Sequence, residues 1–171
     1  RFSGNGIKLA VLDTGFDLQH PDFAGRKITS RSFVGGTAQD RHGHGTHCIG
    51  TACGLRKPQR LPAYGIASEA EIYAGKVLSN QGSGADGGIL SGIDWAIRNK
   101  CTVISMSLGA PVAVNAAFST VYETVAQRAL AAGQIKLTID GGSGNDTILG
   151  SAGNDILIGG DGNDFVDGNQ G

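Results

Sequence analysis

Two residues that cooperate in many hydrolytic enzymes stand in short glycine-containing motifs of this 171-residue chain. Asp13 follows an apolar run in VLDTG, and His44 lies in HGHGTH. A carboxylate can hold an imidazole in one tautomer, and the imidazole can then take a proton from a nucleophile. The pair therefore predicts general-base chemistry. Sequence spacing alone proves nothing, because the tertiary structure must bring the two side chains together.

The elements that would position this pair alternate between strand and helix. Apolar, β-branched runs predict three central strands, at residues 7–13, 71–78 and 101–108. Alternation of this kind indicates an α/β fold with a parallel sheet covered by helices on both faces. Asp13 would then lie at the carboxyl edge of the sheet, where sites in such folds usually form.

Three helices are predicted around this sheet. Residues 85–100 place apolar side chains at helical spacing, with Asp86 in the first turn, where a carboxylate suits the helix dipole. A second helix should begin near His44 and run through Cys53. The third should lie between a cap at Asn115 and Gly133.

The chain repeats with a period of nine residues from Gly141 onward. The repeats are GGSGNDTIL, GSAGNDILI and GGDGNDFVD, and they are followed by GNQG. It resembles the G-G-x-G-x-D-x-U-x nonapeptide of RTX proteins, which forms calcium-binding parallel β-rolls. Glycines permit the tight turns, and the aspartates would supply oxygen ligands: Asp146, Asp155 and Asp164. A disordered linker is the alternative, but it would not keep aliphatic residues in period at Ile148, Leu157 and Val166.

In the RTX fold that this segment resembles, an ion lies between one repeat and the next but one. Asp146 and Asp164 would therefore share a complete calcium site. Asp155 would need a partner from a fourth repeat, of which the sequence contains only GNQG. We expect that second site to be half built, and we expect calcium to order residues 141–167.

The first part of the chain resembles the amino-terminal half of the subtilisin family's catalytic domain over residues 3–133. The resemblance rests on five segments in this order: VLDTGFDLQHPDF, DRHGHGTHCIGT, YGIASEAEIYAGKVL, GSGADGGILSGIDWAI and VISMSLGAP. It implies that Asp13 is the aspartate and His44 the general base and acid of a Ser-His-Asp triad, in the subtilisin order. It also implies two walls of a cleft for extended protein or peptide substrates: Gly82, Ser83 and Gly84, and opposite them Ser107, Leu108 and Gly109.

The sequence departs from this family after Gly133. The family continues into a strand with an oxyanion-hole Asn and later places its nucleophile in G-T-S-M-A, and neither pattern occurs in residues 1–171. We therefore expect a serine endopeptidase by lineage that is inactive alone. Two alternatives stay open, a calcium-binding scaffold that docks peptides without cleaving them and an enzyme completed by a second chain. The open edge of a half sheet could also favour self-association.

Composition and charge exclude several partners. The sequence has 14 Lys and Arg against 15 Asp and Glu, a formal net charge of -1, which offers no field for nucleic acid. No run approaches the length of a membrane span, so we expect no membrane partner. The lineage indicates a secreted protein. We divide the chain into a half-domain at residues 1–133, a junction at 134–140 and repeats at 141–171.

The cysteines and clustered histidines have other interpretations. Three cysteines form no even disulfide framework, and we predict free buried thiols at Cys48, Cys53 and Cys101. The resemblance implies that Cys48 lies behind the catalytic His. Spacing of the form H-x-H-x-x-H from His42 to His47 could suggest zinc, but the HGTH motif accounts for His44 and His47 without a metal. We expect His47 to be a packed helix residue.

Overall fold

The computed structural model describes residues 3–58, 62–109, 120–131, 138–140, 144, 147–149, 156–163 and 165–167. The chain divides into two compact units, Arg1–Val125 and Ala126–Gly171. This division falls inside a helix. The predicted limits of the half-domain and the repeats stay a prediction.

The first unit is built on a four-stranded parallel sheet in the order β2-β3-β1-β4. Its strands are β1 (Lys8–Asp13), β2 (Ile28–Ser32), β3 (Glu71–Lys76) and β4 (Val103–Ser105). The register of β1 with β3 pairs Asp13 with Lys76 at the carboxyl edge. The predicted α/β class and the three predicted strands are therefore present.

Both faces of the sheet are buried, which explains why the sequence of β1 is almost continuously apolar. Successive side chains of a strand point to opposite faces. Leu9 and Val11 belong to one buried cluster, together with Ile49 of helix α1 (His44–Cys53). Ala10 and Leu12 belong to the other cluster, which contains Ile89, Ile93 and Trp95 of helix α2 (Asp86–Arg98).

Helices α1 and α2 lie where the sequence predicts them. A third helix, α3, covers Thr120–Ala131, and its predicted cap at Asn115 and end at Gly133 lie outside the described residues. A short 3₁₀ helix at Pro21–Phe23 begins with the proline, whose fixed φ suits a helix start.

Two strands differ from the sequence-based expectation. Strand β2 is absent from it, because ITSRS is half exposed and mostly polar and so lacks the apolar pattern of a buried strand. Strand β4 ends at Ser105 rather than Leu108. The residues from Ser107 to Gly109 line a cleft instead of continuing the ladder.

The second unit contains four short strands, β5 (Thr138–Asp140), β6 (Thr147–Leu149), β7 (Ile156–Ile158) and β8 (Phe165–Asp167). They pair in parallel as β5 with β7 and β6 with β8. Thr138 faces Ile156 and Thr147 faces Phe165, so partners in each pair are two nine-residue periods apart. Each strand thus pairs with the next but one along the chain.

The repeated aliphatic positions should point inward from the strands, and this holds only in part. Leu157 is half-buried, whereas Val166 exposes 44% of its surface. Strand β8 pairs with β6 as its one described neighbour, and all three of its residues are exposed. The side chain of Ile148 and the calcium ligands Asp146, Asp155 and Asp164 lie outside what the structure describes.

Candidate active site

Asp13 and His44 are in direct contact at the carboxyl edge of the sheet. Nδ1 of His44 lies 2.8 Å from Oδ1 and 2.9 Å from Oδ2 of Asp13. Asp13 is 1% exposed at the end of β1, whereas the His44 side chain, in the first residue of α1, is 44% exposed. The structure therefore brings the two predicted residues together, with a buried carboxylate and an imidazole open to solvent.

Close backbone approaches hold this geometry and explain the glycines beside both residues. Gly15 has a φ of 106°, and a Cβ there would stand 2.3 Å from the carbonyl oxygen of Ala38. A Cβ on Gly45 would stand 2.3 Å from the carbonyl oxygen of Gly15. Gly45 thus lets the start of α1 pack directly on the VLDTG turn, and Gly15 lets that turn approach the backbone of Ala38.

Asp40 organises the loop that leads into α1. Its Oδ1 accepts hydrogen bonds from the backbone N–H groups of His42 and Gly43 and from the hydroxyl of Thr14. Its Oδ2 accepts from both the N–H and the hydroxyl of Thr46. Burial alone would raise the pKa of Asp40, but the hydrogen bonds from Gly43, Thr46 and His42 outweigh it and lower the pKa to about 2.

Thr14 connects the loop of Asp40 to the catalytic pair. Its N–H donates to Oδ1 of Asp13 at 2.6 Å, and its hydroxyl accepts a hydrogen bond from the N–H of Gly45. The buried amine of Lys76 donates to the carbonyl oxygen of Thr14 and to Oδ1 of Asn80. Burial lowers the pKa of Lys76, and the nearby carboxylates of Asp40 and Asp13 oppose that effect.

A cleft of about 830 Å³ opens beside His44. The predicted substrate-binding residues all line it: Gly82, Ser83, Gly84, Ser107, Leu108 and Gly109. Turn hydrogen bonds shape one wall, where the N–H of Ser79 donates to the carbonyl of Ser83 and the N–H of Gly82 to the carbonyl of Ser79. Tyr122 and Asp86 also line the cleft, and the tyrosine hydroxyl donates to the carboxylate at 3.0 Å.

The cysteines and histidines correct two expectations. Cys53 and Cys101 are buried free thiols, as predicted, but Cys48 is only partly buried. Its Sγ lies 3.9 Å from Nδ1 of His44, because residues four apart share one face of a helix. His47 is exposed rather than packed.

Several residues of this site are not predicted from the sequence: Asp40, Thr14 and Thr46. Asp40 and Thr46 flank the HGHG motif, and polar residues at a helix start could have indicated a capping role for them. Lys76 lies within a predicted buried strand. A charged residue inside such an apolar run requires polar partners when it is buried, and this requirement could have identified it.

The sequence is similar to those of known proteins that belong to one family. The profile of the subtilase family, Peptidase_S8, matches residues 4–168. The cuticle-degrading protease of Metarhizium anisopliae is 41% identical over 114 residues, covering 63% of this chain and 28% of that protein. Subtilisin E of Bacillus subtilis (strain 168) is 38% identical over 147 residues, covering 84% of this chain and 36% of that protein. This chain belongs to the subtilase family.

A solved structure agrees with the fold. The crystal structure of a cold adapted subtilisin-like serine proteinase superposes with a TM-score of 0.67 at 33% identity, covering 86% of this chain and 50% of that one. The chain spans about a third of the length of the curated relatives described above. The family match includes the segment after Gly141 and does not identify it as RTX repeats. Among the described residues, no helix combines the length and apolarity needed to cross a bilayer.

Proposed function

We propose that this chain supplies the Asp–His part of a subtilase active site, with His44 as general base and acid in peptide-bond hydrolysis. The observation that carries the proposal is the 2.8 Å contact between Oδ1 of Asp13 and Nδ1 of His44. A proton held on Nδ1 by the carboxylate leaves Nε2 able to accept the proton of an attacking hydroxyl. The exposure of His44 beside the cleft gives a substrate access to that nitrogen.

The substrate of this site is an extended stretch of polypeptide. Three glycines of the cleft walls, Gly82, Gly84 and Gly109, contribute no side chain and leave their backbone groups accessible. Backbone groups recognise a peptide by pairing with it as an added strand, and such pairing reads main chain rather than side chains. Broad protein substrates follow from this recognition.

The nucleophile must come from outside residues 1–171. No serine of this sequence stands in the G-T-S-M-A pattern; Ser83 and Ser107 lie in the cleft walls, and Ser105 lies in β4. In subtilisin, loss of the serine lowers turnover by about a millionfold, and loss of one oxyanion donor by about a hundred- to thousandfold. We propose that these 171 residues alone do not hydrolyse peptides.

Hydrolysis of fluorogenic casein by the 171-residue chain, compared with His44→Ala, tests both parts of this proposal. We expect no turnover and no labelling by a serine-directed fluorophosphonate from either protein. Turnover that disappears in His44→Ala would support the role of His44 and refute the inactivity. Turnover that persists in His44→Ala would refute the role of His44.

An enzyme completed by a second chain is the alternative that one observation favours. Strand β4 has β1 as its one described neighbour in the sheet, and Val103 and Met106 each expose 36% of their surface there. A polypeptide that supplied the next strand, the oxyanion Asn and the Ser would cover this edge. Fluorophosphonate labelling that appears only on mixing, and not with Asp13→Ala, would support it. Self-association through the same edge would instead appear as a concentration-dependent increase in mass.

We also propose that the segment from Gly141 binds calcium as an RTX-type roll in an extracellular protein. Its support is the pairing of each strand with the next but one, together with the positive φ angles of Gly144, Gly160 and Gly162 at the turns. Asp146, Asp155 and Asp164 would hold the ions, since carboxylate oxygens suit this hard cation. Millimolar extracellular calcium would saturate weak sites of this kind. Cell fractionation tests the location, because one relative is called an intracellular serine protease.

A further inference from the structure

Cys48, which no step of the proposed hydrolysis uses, forms a three-residue cluster with the catalytic pair. Ligand atoms of Asp13, His44 and Cys48 all lie within 4.8 Å of one another. We propose that these side chains form a binding site for a thiophilic divalent cation, Zn²⁺ being the physiological candidate. The inference does not depend on the hydrolytic role, because it rests on the positions and chemistry of three ligand atoms.

The distances between the ligand atoms suit a tetrahedral ion after small shifts. Zinc bonds of about 2.0 Å to O or N and about 2.3 Å to S place ligand atoms about 3.3–3.6 Å apart. Nδ1 of His44 lies 2.8 Å from Oδ1 of Asp13 and 3.9 Å from Sγ of Cys48, on either side of that range. Displacements of about half an ångström bring these two distances into the range for coordination.

The elements that carry the ligands favour this arrangement. His44 and Cys48 are four residues apart on α1, and this spacing places two ligands on one helix face, as in helical zinc sites. Asp13 is held at the end of a buried strand of the sheet. A mixed set of thiolate, imidazole and carboxylate selects zinc-like ions over calcium or magnesium.

Coordination would change the protonation of His44 in a defined way. The thiol of Cys48 releases its proton to solvent when it binds the ion, because the thiolate is the ligand. Nδ1 of His44 must also be unprotonated, so the neutral ring carries its proton on Nε2. That tautomer is the opposite of the one a general base needs. A bound ion would therefore hold the catalytic pair in an inactive form.

Cobalt and cadmium titrations of the 171-residue chain test the site, because both ions give charge-transfer bands when bound to thiolate. The assay contains excess calcium, which occupies oxygen-only sites. We expect one Co²⁺ per chain with a thiolate band, and we expect Cys48→Ser to abolish the band and weaken Cd²⁺ binding by about a hundredfold. Cys53→Ser, a buried thiol outside the cluster, is the matched control and should keep the band.

A second measurement needs no variant at the site. Cd²⁺ should protect Cys48 of the unmodified protein from a disulfide reagent, and a chelator should restore its reactivity. His42→Ala and His47→Ala should bind normally, because neither belongs to the cluster. The proposal is overturned if the unmodified protein shows no thiolate band and no protection. It is equally overturned if a folded Cys48→Ser variant keeps the band.

Discussion

Asp40 holds Thr46 by two hydrogen bonds to one carboxylate oxygen, 3.0 Å from its N–H and 2.7 Å from its hydroxyl. This contact closes the first turn of α1 around the residue that carries the imidazole. The helix has no side-chain cap at Gly43 itself, so Asp40 satisfies free backbone donors of the helix start from three residues upstream. The orientation of His44 therefore depends on a carboxylate that touches neither His44 nor Asp13.

Replacement of Asp40 by Asn should lower the free energy of unfolding by about 1–2 kcal/mol at pH 7, the usual range for loss of a helix cap. Because its folded pKa of about 2 lies below the ordinary 3.8, Asp40 stabilises the fold above pH 4. That contribution is lost as the pH falls through 2. Urea unfolding between pH 7 and pH 2 measures it.

Asp17→Asn is the control for this change. Asp17 accepts longer hydrogen bonds, 3.1 Å from Gln39 and 3.2 Å from the N–H of Gln19. We expect a smaller loss of stability and no loss of the acid transition. An unchanged acid transition in Asp40→Asn would contradict the role of this carboxylate.

Gly15→Ala should destabilise the fold by about 1–3 kcal/mol or more, because the position needs a positive φ and the new Cβ would strike the carbonyl oxygen of Ala38. Gly87→Ala is the matched control, since it lies in α2 with open space around its Cβ position. That change should stabilise the helix by about 0.5–1 kcal/mol. Thermal unfolding of the two variants should give shifts of opposite sign.

The three thiols should differ in how fast they react with a disulfide reagent. Cys53 and Cys101 are 0% exposed, and burial raises their pKa values to about 11 and about 12. Burial also raises the pKa of Cys48, but its sulfur is only partly covered. A disulfide reagent at pH 8 should therefore label one thiol in the folded protein and three in denaturant. Cys48→Ser should leave none reactive in the folded state, and rapid labelling of three thiols would contradict the packing.

Lys76→Met should lower the free energy of unfolding by about 1–3 kcal/mol at pH 7, because the carbonyl of Thr14 and the amide of Asn80 lose their donor. The loss of stability in Lys76→Met should become larger at alkaline pH. Burial holds the folded pKa of Lys76 below 10.5, so the folded chain loses this proton first and gains stability as the pH rises from that value to 10.5.

Denaturation curves between pH 7 and pH 10.5 measure the Lys76 effect. The difference in stability between the two proteins should change with pH for Lys76→Met. Lys57→Met, at an exposed lysine, should give a constant difference across the same range. A constant difference for both variants would show that the amine of Lys76 is not buried in solution.

Calcium should increase the β-sheet signal of circular dichroism, and substitutions in the repeats should act unequally. Strands β6 and β8 pair, and in the sequence Asp146 directly precedes β6 and Asp164 directly precedes β8, so we expect these two aspartates to share one site. The residue one coil before Asp155 is Leu137, which offers no carboxylate. Asp164→Ala should therefore weaken calcium binding more than Asp155→Ala, as calorimetry would show. Equal effects would refute this pairing.

Local pattern and motif context were sufficient for part of this description. The apolar run before Asp13 predicts a buried parallel strand, and Ile89 and Ile93 at helical spacing predict the packed face of α2; both are confirmed. Such features depend on periodicity, which neighbouring residues alone create. Strand β2 is not predicted, because its sequence is mostly polar and lacks the apolar pattern of a strand. Its backbone pairing with β3 holds it in the sheet instead.

Only the tertiary structure decided which distant groups meet. The sequence by itself determined that Asp13 ends a strand and that His44 begins a helix. Their contact, the hydrogen bond from Thr14 to Asp40 and the one from Gly45 to Thr14 follow from how α1 packs across the edge of the sheet. Hydrogen bonds and ligand clusters depend on distances between residues far apart in the chain. No local pattern encodes those distances, because packing of the whole core sets them.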